Sequence, residues 1–409
     1  MSRKRTGPKL LNTSRMRANS SSALQLGQQE FIATVIDLSH SGEAIVEHPQ
    51  GLKVFVPGAW LDEDIKVRIL GVKKHFAKGR LLEVLRPSPH RRPAPCKFHG
   101  NNATQCGGCP WMFADYAAQC EAKQRRVEQA LGKVAPDCQV LPIITAPHEL
   151  AYRVRAQLKS DGEHLGFVSN GQRAIVNIST CPVLSEKNQE TVKQLIHTLP
   201  NRNWRPKQSK HRWSTLDLDE NTDAASVSVN KRLPFQQANA QQNQHMKLWI
   251  ANKLEQIGPR FKALELFAGS GNFTEVLAAA EINEVIAIEV VQAAIDELND
   301  LQLTGVKAIA ADLFDEKASA KILREHNDAE LLVLDPPRDG MKLKIGLFGK
   351  RSKIKDVLYI SCDLATFSRD LTEFQQNGFK LIELQPLDLM PQTAHVELMA
   401  HIVHDKKPK

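Results

Sequence analysis

The sequence predicts an α/β chain, with a Rossmann-like sheet in its C-terminal part behind a small β-barrel and a cysteine-bearing middle. Three observations predict this. From Ala263 onward, short β-branched runs end in a glycine turn or an acidic residue and give way to helical periodicity. Before residue 90, five short alternating segments are separated by turn dipeptides. Between these parts stand four cysteines at a spacing that suits one shared ligand.

Composition bounds the rest. The 409 residues suffice for two or three domains, and 42% hydrophobic residues suffice for real cores. No run approaches the roughly 18 apolar residues that cross a bilayer. The first residues are basic and polar, unlike a secretory signal. Seven cysteines in such a chain point to free thiols, metal ligation or catalysis rather than disulfides, and to the cytoplasm. A formal net charge of +8 favours a polyanionic partner, nucleic acid first.

Residues 1–29 carry six basic side chains (Arg3, Lys4, Arg5, Lys9, Arg15, Arg17) and no acidic one, as expected of a disordered arm that touches phosphates or is dispensable. Residues 30–88 hold the barrel. Strands are expected at 31–36, 44–47, 52–56, 65–70 and 80–85, with turns at Ser41-Gly42, Pro57-Gly58 and Lys78-Gly79. That count suits an OB-type barrel, and Lys66, Arg68, Lys73, Lys74, His75, Lys78 and Arg80 give it a basic face.

Prolines make 86–95 a linker, because they remove donors and fix φ. The middle domain, 89–232, opens on Cys96, Cys106 and Cys109, with a fourth thiol at Cys181. Four thiolates suit structural zinc or an iron–sulfur cluster, and spacing does not separate the two. Cys120 and Cys138 read as ordinary residues. A helix is expected over 114–131, antiparallel strands over 151–178 and a helix over 185–199. Residues 201–231 read as connection, with one strand at 225–229.

The last domain spans 233–409. A strand over 263–267, a glycine turn over 268–272 and a helix over 273–280 form a nucleotide-binding opening. Glu289 ends the next strand, where an acid can hold ribose hydroxyls. Thr274 replaces the third glycine of the dinucleotide fingerprint, which favours a mononucleoside cofactor such as S-adenosylmethionine over NAD. A further strand leads to Asp312, placed to meet an adenine edge. Another leads into the rigid Asp335-Pro-Pro-Arg338 loop. Residues 357–360 hand over from strand to a helix marked by Phe367, Leu371 and Phe374. Cys362 stands at that junction, where a helix N-terminus is expected to lower its pKa.

These residues resemble the RNA uracil-C5-methyltransferase family. The resemblance is carried by Asp335-Pro-Pro-Arg338, by Ser361-Cys-Asp-Leu-Ala-Thr-Phe-Ser-Arg-Asp370 and by Pro391-Gln-Thr-Ala-His-Val-Glu397. Phe235-Gln-Gln-Ala-Asn239 is similar to the family's Phe-x-Gln-x-Asn motif, and the barrel looks like its TRAM domain. The nearest subgroup carries a [4Fe–4S] cluster and methylates a uridine of 23S rRNA; tRNA is the alternative substrate, and a non-catalytic RNA-binding assembly factor the alternative role. The resemblance implies Cys362 as nucleophile and Glu397 as general base. It implies Gln237, Phe267, Asn272, Glu289, Asp312 and Asp335 around S-adenosylmethionine, Cys96, Cys106, Cys109 and Cys181 on the cluster, and a monomer. The chain departs from the family at Asp363, where Asn is usual, and in a Lys- and Arg-rich connector over 339–356.

Overall fold

The computed structural model describes residues 28–171, 174–207, 212–231, 233–280, 282–341 and 352–405. The basic arm up to residue 27 and most of the basic connector lie outside these residues. The chain divides into two compact units, one ending at Pro93 and one beginning at Ala94.

The first unit is a single curled sheet, compatible with a small barrel. Its strands are β1 (Glu30–Thr34), β2 (Asp37–Leu38), β3 (Ala44–Glu47), β4 (Lys53–Val56), β5 (Asp64–Val72) and β6 (Phe76–Arg86). They lie in the order β1-β5-β6-β4-β3-β2. Alternation puts Val54, Val56, Ile65, Val67 and Ile69 inside, as period 2 requires. Gly79 is not the expected turn; it lies within β6, opposite Ile69. A Cβ there would stand 2.7 Å from Val67 and 2.9 Å from Val54, so the glycine serves close packing. The proline linker is tied back to this unit, because buried Glu63 accepts from Ser88 N–H at 3.2 Å and pairs with Arg91.

The second unit contains two sheets. Its first elements are α1 (Tyr116–Val134), β7 (Gln139–Val140), β8 (Arg155–Ser160), β9 (Leu165–Val168), β10 (Ile175–Asn177), α2 (Glu186–His197), β11 (Ser214–Asp219) and β12 (Ser228–Val229). Five of these strands form an antiparallel sheet in the order β10-β9-β8-β11-β12. The stretch read as connection therefore holds a central strand. In β11, Leu216 and Leu218 enter the core, and buried Asp217 accepts from Arg155 at 3.0 Å. Its polar composition concealed it.

The remaining elements are α3 (Ala240–Ile257), β13 (Lys262–Leu266), α4 (Thr274–Ala279), β14 (Glu284–Glu289), α5 (Gln292–Asp300), β15 (Val306–Ala310), α6 (Glu316–Glu325), β16 (Leu331–Leu334), β17 (Asp356–Ser361), α7 (Leu364–Gln376), β18 (Phe379–Leu387) and β19 (Glu397–His404). The sheet order is β15-β14-β13-β16-β17-β19-β18-β7. Strands β13 to β17 run parallel, while β19 is antiparallel to both β17 and β18. Parallel strands covered on both faces read as continuous apolar runs, as Leu331 to Leu334 do. The edge strand β7 comes from the middle of the chain, and α1 adds Val127 and Leu131 to the same core as Phe367 and Phe374. No described helix is long and apolar enough to cross a membrane.

Candidate active site

The parallel strands of the large sheet end at one edge, and each end delivers a polar or aromatic side chain. Phe267 follows β13, Glu289 closes β14, Asp312 follows β15, Asp335 follows β16 and Cys362 follows β17. Strand β19 runs the other way and starts at this edge with Glu397. Ser361 pairs with Leu398, and Cys362 and Glu397 each stand one residue beyond that last pair, close enough for the Glu397 charge to act on the thiol.

One side of the edge carries the glycine turn and the acidic end of β14. Glu289 is locked by three backbone donors, Gly269 at 3.1 Å, Val290 at 2.8 Å and Val291 at 3.0 Å. Gly271 has a φ of 98°, and a Cβ on it would stand 2.6 Å from Leu298, so only glycine fits the turn. Phe267 holds a φ of 65°, a strained state of the kind that gathers at functional sites, and its ring lies 5.8 Å from that of Phe314. Asn272 exchanges two hydrogen bonds with Asn243, at 2.8 and 2.9 Å. Asp312 accepts from Phe314 N–H at 2.8 Å. Gln237 is buried just ahead of Asn239, which caps α3 and donates to the Leu389 carbonyl at 3.3 Å.

Toward Cys362 the site becomes acidic and dry. Burial pushes Glu265 up to about 8, although Thr274 donates to it at 2.6 Å. Burial also pushes Asp335 up to about 7. Glu397 is raised well above the usual carboxylate range by burial and then by the charge of Asp335, with Arg338 opposing. The Cys362 thiol is pushed up to about 12, first by burial and then by Glu397 and Asp335. This overturns the expected low pKa. The helix N-terminus beside it is already occupied, because Asp363 accepts from Ala365 N–H at 3.0 Å and Thr366 N–H at 2.9 Å. The departure from Asn thus keeps an N-cap while adding a negative charge next to the thiol.

Two further residues hold the Asp335-Pro-Pro-Arg338 loop. Buried Asp370 accepts from Tyr359 Oη and from Met341 N–H, each at 2.7 Å, fixing the far end of the loop to β17. Arg338 donates to His395 Nε2 at 3.1 Å. Desolvation and the charges of Arg338, Lys123 and Arg126 bring His395 down to about 4, so it is neutral at pH 7 and able to accept. Arg338, His395 and Asp370 stand inside the three C-terminal motifs. Glu265 carried no signal of its own, being one polar residue in a buried strand.

Cys96, Cys106, Cys109 and Cys181 are free, partly buried thiols. Burial raises Cys106, Cys109 and Cys181, and the charges of the other cysteines add to each shift, so the four lie within electrostatic reach of one another. Backbone N–H groups are aimed at two of the sulfurs: Gly108 at Cys106, Val183 and Leu184 at Cys181. Such donors stabilise thiolates, so the donor set fits a thiolate-ligated group. Among the described residues, no three His, Cys, Asp or Glu side chains converge to hold a single metal ion. Beside the Cys106–Cys109 loop lies a cavity of about 500 Å³, lined by Arg153, Arg155, Phe167, Asn170 and Phe235.

Comparison with known proteins agrees with this architecture. The tRNA (Uracil-5-)-methyltransferase family model matches residues 218–404. An uncharacterized RNA methyltransferase of Nitrosomonas europaea is 39% identical over 379 residues, covering 90% of this chain and 96% of its own. A 23S rRNA (uracil(1939)-C(5))-methyltransferase of Vibrio cholerae is 30% identical over 430 residues, covering 90% of this chain and 95% of its own. The fold matches that of Pyrococcus abyssi tRNA (uracil-54, C5)-methyltransferase, solved with S-adenosyl-L-homocysteine. That superposition has a TM-score of 0.66 at 20% identity, covering 91% of this chain and 100% of the other. The chain belongs to the RNA uracil-C5-methyltransferases, enzymes that use S-adenosylmethionine.

Proposed function

We propose that this enzyme methylates C5 of one uridine in 23S rRNA, with Cys362 as nucleophile and Glu397 as general base. The observation that carries the reading is the nearness of these two residues at the adjoining ends of neighbouring strands, where the charge of Glu397 acts on the Cys362 thiol. Uracil C5 is too weak a nucleophile to take a methyl group unaided. The Cys362 thiol gives up its proton to solvent, its thiolate adds to C6, and the C5–C6 electron pair moves toward O4, making C5 nucleophilic. S-adenosylmethionine supplies the methyl group as a sulfonium electrophile. Glu397 then removes the C5 proton, the C5–C6 double bond re-forms and the Cys362 thiolate leaves. A carboxylate whose pKa is raised by burial has the proton affinity this step needs.

Gln237, Phe267, Asn272, Glu289, Asp312 and Asp335 hold S-adenosylmethionine in this reading. The acidic pair Asp335 and Glu265 suits a cationic sulfonium, which in turn offsets the charges that hold the Cys362 thiol protonated. The target base reaches such an edge only when unstacked.

The ribosomal target is supported by curated relatives that match over nearly their whole length and carry 23S rRNA names. Residues 30–88 act as a TRAM-type RNA-binding domain and 89–232 as a cluster-bearing domain ahead of the methyltransferase domain at 233–409. Cys96, Cys106, Cys109 and Cys181 hold a [4Fe–4S] cluster, which takes one thiolate per iron and does not require the sulfurs to meet around one ion as zinc does. Mapping 5-methyluridine in RNA from cells with and without this protein tests the reading. Loss of one 5-methyluridine from 23S rRNA is expected; an unchanged 23S rRNA with a loss from tRNA contradicts it.

A further inference from the structure

The turn that leads into Glu397 is gripped by the segment that carries the cysteines. Gln392, fully buried in that turn, has a φ of 69°, a state that a residue with a side chain keeps only when its surroundings fix it. Its N–H donates to Gln119 Oε1 at 2.9 Å, and its Oε1 accepts from Gln119 Nε2 at 3.0 Å. Its carbonyl accepts from Trp111 N–H at 3.0 Å, and its Nε2 donates to Glu149 at 3.0 Å. The neighbouring Pro391 carbonyl accepts from Tyr152 Oη at 3.0 Å. Lys123 and Asp388, both fully buried, pair at 2.5 Å, and Lys123 also donates to the Met390 carbonyl at 3.2 Å.

The residues that do the gripping adjoin the thiols. Trp111 is separated from Cys109 only by Pro110. Tyr152, Met112 and Val183 form an apolar cluster, and Cys96, Cys109, Cys181 and Met390 pack against it. One small core therefore touches three of the four cysteines on one side and the base-bearing turn on the other.

We propose that this core is the seat of the general base: Trp111, Gln119 and Tyr152 are positioning residues that hold Pro391 and Gln392, and so aim Glu397. The group bound by the four cysteines then acts on turnover through the position of the base. The inference rests on Glu397 being that base. Strand β19 begins at Glu397, so a shift in the preceding turn re-aims its carboxyl, and proton removal is sensitive to such misplacement. Addition of Cys362 depends on β17, which this core does not hold. A loosened seat therefore slows the last step alone, and the covalent enzyme–RNA intermediate accumulates on ordinary uridine RNA.

Tyr152→Phe keeps the ring and removes one hydrogen bond. In anaerobically purified enzyme, it is expected to lower kcat about five-fold, the scale of one lost hydrogen bond, with KM for RNA falling in step and kcat/KM unchanged, because the slowed step follows the adduct. The denaturation-resistant RNA adduct should rise in step. Cys109→Ser is expected to give the same signature and faster amide exchange at Gln392. Iron and labile sulfide assayed on the same preparations identify the group, and zinc in their place contradicts the cluster. Glu397→Gln is the control, since it must accumulate adduct if Glu397 removes the proton. Adduct with Glu397→Gln but none above wild type with Tyr152→Phe overturns the seat. No adduct with Glu397→Gln overturns the base assignment itself. Should Cys109→Ser fail to fold, Tyr152→Phe still decides.

Discussion

Cys362 faces burial and the carboxyls of Glu397, Asp335 and Asp363, all of which favour its protonated form, while Arg338 alone among the named charges opposes them. With a pKa of about 12 the thiol is protonated at neutral pH. Alkylation of Cys362 by iodoacetamide, followed residue by residue with mass spectrometry, reads this directly. The sign is fixed by the raised pKa: the thiolate fraction grows about tenfold per pH unit until the pKa is reached. The rate is expected to climb from pH 7 to 10 without a plateau. A plateau below pH 8 would mean that the helix N-terminus, and not the carboxyls, sets the thiol. The resemblance put Glu397 and Asp335 at one site with Cys362, but their effect on the thiol was not legible, because it depends on burial and distance in the assembled core. The adjacent Asp363 was the one charge whose effect could be read directly.

At the scale of elements, α7 shows how one substitution serves two ends. Asp363 caps the helix through Ala365 and Thr366, and Thr366 Oγ1 also donates to its carboxylate at 3.2 Å. Asn caps a helix about as well as Asp, whereas Ala does not. Asp363→Ala is expected to cost about 1 kcal/mol in urea unfolding, and Asp363→Asn only a few tenths. Equal losses in the two variants would show that charge, rather than capping, is what Asp363 contributes. Elements whose pattern is local were legible: β16 and α7 stand where apolar runs and helical spacing put them. Strand β11 was not, because Asp217 is buried by virtue of Arg155, a partner far off in sequence. Gly79 misled for a related reason: a glycine that makes room for Val54 and Val67 across a sheet looks, in one dimension, like a turn.

For the whole molecule, the order of motifs along the chain was enough to indicate the class of fold and the family. Sequence could not show that β7, from the middle of the chain, completes the large sheet, or that the turn before Glu397 is gripped by Gln119 and Tyr152. Both are long-range pairings that only the assembled core creates. The central claim is that Cys362 and Glu397, already paired as nucleophile and base by the motifs, stand at the adjoining ends of β17 and β19 and act on one base. The measurement that tests it most directly is trapping on 23S rRNA fragments carrying 5-fluorouridine, with S-adenosylmethionine present. Fluorine at C5 cannot leave as a proton, so the reaction must stop at the covalent stage. The wild-type enzyme is predicted to form a methylated, denaturation-resistant RNA adduct that Cys362→Ala cannot form. A wild type that methylates uridine RNA yet is never trapped, or a Cys362→Ala enzyme that keeps full activity, would contradict the account.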